Sequence, residues 1–134
     1  MKRFPVFGEP VEILVGFGET SGGSTTFTQE SPARGGVPPH SHEKEDETFY
    51  VLDGRYEFLL NGDRRILTRG EAFHARRGSV HGFRNIGSSS GKLLIITVPG
   101  GFDNYLEEIS PLSIPQDMER LIEISKRYGI SFAV

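Results

Sequence analysis

Short apolar and aromatic runs alternate with glycine-containing turns through the first two thirds of the chain. Asp53-Gly54, Asn61-Gly62 and Arg69-Gly70 recur every eight residues, and Asn-Gly between apolar runs is typical of a tight β-hairpin. The runs are rich in the aromatic and β-branched residues that favour a pleated strand. The pattern predicts strands at 11–15, 25–29, 37–42, 49–52, 56–60, 65–68, 72–76, 81–85 and 92–98. Strands at such even spacing indicate a β-sandwich or a barrel.

After residue 100 the apolar positions change from a strand period to a helical period. A short helix is predicted from four apolar residues at i, i+3, i+4 and i+7: Phe102, Tyr105, Leu106 and Ile109. A second helix is predicted to begin at a capping box in residues 113–116 and to end before Gly129. Its apolar face is predicted to contain Met118, Leu121 and Ile122. We expect both helices, at about 101–128, to cover the β body or to form a dimer surface.

The composition fits one small β domain rather than a helical bundle. A chain of 134 residues is enough for a single domain and too short for a two-domain enzyme. The 17 glycines and eight prolines would interrupt helices, but they suit short strands joined by tight turns. We therefore expect one domain over residues 1–134, with a barrel at about 11–98.

Charge and residue usage exclude several classes of function. The formal net charge of −3 provides no basic field for nucleic acid, and the absence of cysteine excludes disulfides and thiolate chemistry. The longest apolar run, residues 93–96, is far shorter than the ~20 residues that span a bilayer, and no signal peptide is recognisable. We expect a soluble cytoplasmic protein that binds neither nucleic acid nor membranes.

Three of the four histidines fall in two segments with the spacing of a metal site. His40 and His42 lie two apart on one predicted strand, so their imidazoles point the same way. Glu47 follows closely enough for its carboxylate to return to the same point on the next strand, and His81 comes from another strand. Three imidazoles and one carboxylate suit a borderline divalent cation and leave a position for water, O₂ or substrate.

Both segments match known motifs. G-x5-H-x-H-x(3,4)-E-x6-G is matched at His40, His42, Glu47 and Gly54, and G-x5-P-x-G-x2-H-x3-N is matched at Gly70, Gly78, His81 and Asn85. The chain thus resembles the cupin superfamily, specifically small single-domain metal-binding cupins of the quercetin-dioxygenase kind. Two positions depart from the motifs: Arg34 replaces a glycine and Arg76 replaces a proline.

The resemblance implies an all-β fold, the cupin double-stranded β-helix or jelly-roll barrel, followed by two C-terminal helices. It implies that His40, His42, Glu47 and His81 hold one divalent transition metal ion. Iron, manganese, nickel, copper, cobalt and zinc all accept such ligands. It also implies a homodimer.

A substrate pocket is predicted from the alternation of side chains along the strands. Residues on the same face as the ligands, together with the next strand, are expected to line it: Phe49, Val51, Tyr56, Phe58, Phe83 and Asn85. For each of these residues a place in the barrel core is an equal alternative. Glu43 to Asp46 are interpreted as a solvated acidic turn, and His74 is placed outside the site because it matches no motif position.

We predict that the protein is a metal-dependent dioxygenase of the quercetin-dioxygenase type that acts on a small, partly aromatic or hydrophobic molecule. Glu47 is the candidate base for a substrate hydroxyl. Two alternatives stay open: a non-oxidative isomerase or cyclase that uses the same ion, and a non-catalytic module that binds or senses a metal and a small ligand.

Overall fold

The structure is a computed structural model and describes residues 1–132. The strands of this range are β1 (Lys2–Val6), β2 (Glu9–Val15), β3 (Thr25–Ser31), β4 (Gly36–His42), β5 (Asp46–Asp53), β6 (Arg55–Leu60), β7 (Asp63–Thr68), β8 (Ala72–Ala75), β9 (His81–Asn85), β10 (Gly91–Val98) and β11 (Ile130–Phe132). The α-helices are α1 (Phe102–Ile109) and α2 (Met118–Arg127), and a short 3₁₀ helix covers Phe17–Thr20.

Two antiparallel sheets form the body of the protein. The six-stranded sheet has the order β1-β2-β3-β10-β5-β8, and the five-stranded sheet has the order β11-β4-β9-β6-β7. Alternate side chains of each strand point between the sheets, where they form one apolar core. The predicted all-β barrel with two C-terminal helices is confirmed.

The barrel extends beyond the predicted limits of 11–98 at both ends. β1 pairs with β2 through a turn at Phe7-Gly8, and β11 pairs with β4 at the edge of the smaller sheet. The sequence pattern does not predict β1, because Pro5 interrupts its short apolar run. It does not predict β11 either, because three residues are too few for alternation to be recognised.

The predicted Asn-Gly hairpin is present between β6 and β7. Asn61 and Gly62 have φ angles of 47° and 90°, so both occupy the left-handed region that this tight turn requires. The turn sets the register that places Phe58 in the core, where it is fully buried.

The two helices differ in how well the helical period predicted them. α1 covers the predicted stripe, and all four of its apolar residues are buried. The predicted capping box of α2 is wrong, because the helix begins at Met118 with Asp117 as its N-cap residue. The Asp117 carboxylate accepts the Ser113 N–H at 2.8 Å and holds the preceding residues in a separate turn. Gly129, with φ 74°, ends α2 as predicted.

α2 packs less of its apolar surface than the sequence predicted. Leu121 is buried, but Met118 and Ile122 are 41% and 44% exposed. The helix packs on the body through the face that carries Leu121, Ile124 and Ser125, so Ile124 and Ser125 are buried instead. Across residues 1–132, neither helix has the length and apolar character needed to cross a membrane.

Candidate metal centre

The four predicted ligands meet at one end of the barrel. His40, His42, Glu47 and His81 each offer one ligand atom, and these atoms all lie within 4.8 Å of one another. All four side chains are buried, and the most exposed is His40 at 7%. A group of this composition and size can hold one metal ion.

Strand register places these side chains. His40 on β4 lies directly opposite His81 on β9, and His42 follows two residues later on the same face of β4. Glu47 comes from the other sheet, near the start of β5, so the group joins the two sheets. The site is therefore a product of both the alternation along β4 and the packing of one sheet on the other.

The turn at residues 76–79 brings His81 to the group. The N–H of Gly78 donates to the His42 carbonyl at 2.7 Å, and the N–H of Ser79 donates to the Arg76 carbonyl at 3.0 Å. Gly78 adopts φ 84°, which suits glycine at this position of the turn. The turn therefore forms although Arg76 stands where the motif has proline.

The turn before β4 explains the other departure from the motif. Arg34 itself adopts a left-handed conformation with φ 71°. The glycine that the fold requires is Gly36, because a Cβ atom there would lie 2.1 Å from the carbonyl oxygen of Phe83. The strand that carries His40 and His42 thus approaches β9 closely at a neighbouring glycine.

Hydrogen bonds orient all three imidazoles toward a common point. The Nδ1 atom of His40 donates to the Pro38 carbonyl at 2.8 Å, and that of His81 donates to the Ser79 carbonyl at 3.2 Å. Nδ1 of His42 lies 3.2 Å from a carboxylate oxygen of Glu45. A carbonyl can only accept, so Nδ1 carries the proton and Nε2 is left as the atom that can bind a metal.

The inner atoms of the group fit a cation. Oε1 of Glu47 lies 2.9 Å from Nε2 of His81 and 3.5 Å from Nε2 of His42. Within the described residues, Nε2 of His42 is buried and has no hydrogen-bond partner. Buried lone pairs that face a carboxylate repel one another, and a cation among them would satisfy all of these atoms.

The electrostatics of the group also favour a cation. Burial, together with the neighbouring imidazoles of His42 and His81, lowers the pKa of His40 to about 3, so this ligand is neutral. Burial opposes ionisation of Glu47, but its contacts with His42 and His81 outweigh burial and hold the pKa of Glu47 below its ordinary value. Burial also opposes charge on His42, but Glu47 and Glu45 raise the pKa of its ring overall. The carboxylate therefore stays ionised and attracts positive charge.

The acidic segment between β4 and β5 is not simply solvated, which corrects the interpretation of residues 43–46. Glu45 is only 6% exposed, because the tight reversal of the chain places its carboxylate against the ring of His42. Asp46 accepts bonds from the backbone and guanidinium of Arg77, which lower the pKa of its carboxyl to about 2. Glu43 is exposed as predicted.

Replacing Glu45 with glutamine is expected to weaken metal affinity by about 10- to 100-fold, the usual effect of losing a carboxylate that orients a ligand histidine. The carboxylate of Glu45 is the partner that orients His42 and strengthens its ring as a donor. Competition with a chromophoric chelator measures the affinity. Glu43→Gln, in the same turn but exposed, is the matched control, and equal affinity in both variants would contradict the role of Glu45.

A small apolar cavity adjoins the group. Its volume is about 40 Å³, enough for about one water molecule. Its apolar walls include Phe27, Phe83, Ile95, Phe102, Leu106 and Phe132. The Gln29 amide at its far side already donates to Glu9 at 2.9 Å. None of the described residues that line it is lysine or arginine.

Of the six residues predicted to line a pocket, only Phe83 borders this cavity. The other five lie in the barrel core: Phe49, Val51, Tyr56, Phe58 and Asn85. Phe49 packs against His81 from the core side, with the two ring centroids 5.9 Å apart. The Asn85 amide donates to the carbonyls of Ser31 and Ser89 and so holds the loop after β9.

Alternation along a strand predicts which side chains point inward, but not how deep in the barrel they lie. Each second residue along a strand recedes from the mouth by roughly 6.6 Å. The inward side chains after Glu47, and Asn85 after Phe83, therefore lie deeper in the barrel, and α1, β11 and the β1–β2 turn supply much of the lining. Sequence spacing contains no signal for these distant contacts. His74, as predicted, lies outside the group, exposed on β8 and paired with Thr48.

Relatives share parts of this chain. The pectin degradation protein KdgF of Dickeya dadantii (strain 3937) is 35% identical over 66 residues, which cover 48% of this chain and 58% of that protein. Quercetin 2,3-dioxygenase of Bacillus subtilis (strain 168) is 30% identical over 80 residues, which cover 59% of this chain and 24% of that protein. The chain thus spans less than two thirds of either relative's length.

Solved structures share the fold. KdgF from a Halomonas species superposes with a TM-score of 0.66 and 24% identity, covering 78% of this chain and 91% of that one. A predicted oxalate decarboxylase from Thermotoga maritima gives a TM-score of 0.65 and 23% identity, covering 73% of this chain and 90% of that one. At these identities the likeness concerns the fold alone.

The family model of the cupin domain matches residues 27–97, which is more than half of the chain and contains all four converging side chains. With the barrel and the motif positions described above, the resemblance seen in the sequence is confirmed. This protein belongs to the cupin family.

Proposed function

We propose that this cupin is a metal-dependent enzyme that binds a small organic molecule through an oxygen atom. The observation that carries the proposal is the buried group of His40, His42, Glu47 and His81, whose ligand atoms lie within 4.8 Å of one another. A first-row divalent ion such as iron, manganese, nickel, copper, cobalt or zinc suits these donors. Such an ion supplies Lewis acidity and, where it is redox-active, reactivity with O₂.

The side chains have separate tasks in this proposal. The imidazoles bind the metal through Nε2, because their Nδ1 atoms are held by outer acceptors. Glu47 supplies the negative charge that balances the cation. As an ionised carboxylate beside a small apolar cavity, Glu47 is also placed to accept the proton of a substrate hydroxyl.

Oxygenation of the quercetin-dioxygenase type is the reaction that we favour. The apolar lining supports a substrate with an aromatic or aliphatic body, because a polar body would leave its hydrogen-bonding groups without partners. A carboxylated sugar would have the metal ion as its only cationic partner, because no lysine or arginine is among the described lining residues. The similarity to the Bacillus dioxygenase agrees with this choice.

A non-oxidative isomerisation or ring reaction at the same ion is the second candidate. It is favoured by the similarity to the Dickeya pectin degradation protein, which is 35% identical over the matched segment. A binding or sensing module is the third reading, and it would hold the metal without turnover. The homodimer, the cytoplasmic location and the absence of nucleic-acid and membrane partners stay predictions.

Metal loading followed by two assays separates these candidates. Protein loaded with each ion in turn is tested for O₂ uptake with flavonols, catechols and β-diketones, and anaerobically for conversion of pectin-derived sugar acids. Metal-dependent O₂ uptake that is lost in Glu47→Gln supports the dioxygenase. Anaerobic conversion supports the second candidate, and stoichiometric metal without either activity overturns the enzymatic proposal.

A further inference from the structure

The cavity at the metal group is too small for an organic substrate. Its volume is about 40 Å³, whereas pockets for organic ligands measure roughly 300–1,000 Å³. A water molecule or a ligand of three atoms fits, but an aromatic ring does not. If the proposed function is correct, part of the cavity wall must move when the substrate binds.

A larger apolar groove of about 450 Å³ lies next to this cavity. It runs between α2 and the first half of β4, where Pro38 forms part of its floor. Ile114, Met118 and Ile122 border it and are 38–44% exposed. These three large apolar side chains share one groove and form an exposed apolar surface on which an apolar group could be bound.

Two phenylalanines separate the groove from the cavity. Phe7 and Phe132 line both spaces, and each is half-buried. The ring of Phe132 lies over His40, with centroids 5.9 Å apart. Removal of these two rings would join the groove to the metal group.

The backbone of Phe7 supports a role for this residue. Phe7 adopts φ 53° in the β1–β2 turn, a conformation that glycine, asparagine and aspartate normally occupy. A bulky residue held in this region stores strain, and such positions cluster at ligand clamps and active sites. The turn therefore keeps an aromatic ring at the boundary at a cost in backbone energy.

Of the walls of the cavity, β11 is the one that can move at least cost. α1 buries all four of its apolar side chains, so its displacement would expose a large apolar area. β11 has three residues and, among the described strands, pairs only with β4 at the sheet edge. Rotation of the half-buried Phe132 ring exposes far less surface.

We propose that Phe7 and Phe132 form a gate between the groove and the metal ion, and that the groove binds the apolar body of the substrate. This inference rests on the proposed function. It assigns the substrate to molecules with an apolar part that occupies the groove and an oxygen-bearing end that passes the two rings. Ligands of two or three atoms reach the ion without opening the gate.

Cobalt-loaded protein provides a test that needs no activity. The visible spectrum of Co²⁺ is titrated with azide, which fits the cavity, and with 4-phenylimidazole, which does not. Phe132→Ala is expected to tighten binding of 4-phenylimidazole by about ten-fold or more, equivalent to 1.4 kcal/mol per factor of ten. Azide affinity is expected to stay within about two-fold. Tyr50→Ala, which removes an exposed ring from β5 on the other sheet, is the control and should match wild type.

Two further variants complete the test. Phe7→Ala opens the same gate from the other side and replaces Phe132→Ala if that variant does not fold. Ile122→Glu introduces a charge into the groove and is expected to weaken 4-phenylimidazole several-fold without changing azide. If azide binds but the affinity for 4-phenylimidazole is the same in wild type, Phe132→Ala and Phe7→Ala, the gate is overturned and the proposed function is not. Stoichiometric cobalt that responds to neither ligand overturns the proposed function, because no open coordination position then exists.

Discussion

Replacing His42 or His81 with alanine is expected to release the metal ion while the barrel stays folded. Each imidazole contributes a buried ligand atom, and the loss of one leaves two nitrogens and a carboxylate. We expect affinity to fall by more than about 100-fold, beyond the usual cost of losing an outer partner. Elemental analysis after dialysis measures occupancy, and far-ultraviolet circular dichroism checks the fold.

His74→Ala is the matched control, because this histidine is exposed on the outer face and belongs to no ligand group. It should keep full occupancy. His81→Gln tests the same site with a side chain closer in volume, in case the cavity left by alanine unfolds the protein. Stoichiometric metal in both alanine variants would show that these nitrogens are not ligands.

Metal binding is expected to raise the thermal stability of this protein substantially. The ligand atoms converge only in the folded barrel, so the ion binds the native state and stabilises it by linkage. Free metal at 100 times its Kd contributes about 2.7 kcal/mol. For a domain of this size the melting temperature should rise by about 10 °C. Scanning calorimetry with and without a chelator measures the shift.

The double variant His42→Ala/His81→Ala separates this effect from nonspecific binding of metal at the surface. It lacks two ligands, so its melting temperature should be the same with the ion and with the chelator. An equal shift in wild type and double variant would mean that the stabilising ion binds elsewhere. A wild-type protein with full occupancy and no shift would also contradict the prediction.

Local sequence patterns predicted most of the strands because alternation and turn chemistry act over a few residues. Asn61-Gly62 specifies its hairpin through the φ angles of two adjacent positions. The period of α1 predicted its buried face for the same reason. The prediction failed at the start of α2, where the Asp117 carboxylate accepts the N–H of Ser113. The helix therefore begins later than the capping pattern indicated.

The sequence by itself also predicted the set of four candidate metal ligands. His40 and His42 share a face by alternation alone, and the motif spacing selected Glu47 and His81 as their companions. The face of the sheet on which a side chain lies is a local property, because it depends only on the number of residues along one strand. The four side chains converge in the structure, as the motif spacing predicts.

Only the tertiary structure decided what surrounds the four ligands. Glu45 contacts His42 because the chain reverses tightly there. Phe49 and Tyr56 lie too deep in the core to border the cavity in which a substrate would bind. Phe7 and Phe132, 125 positions apart, meet at the cavity because the β1–β2 hairpin and β11 belong to different sheets that pack face to face. Depth along a barrel and closure of its mouth arise from packing between distant segments, and no pattern within a short window of sequence contains that information.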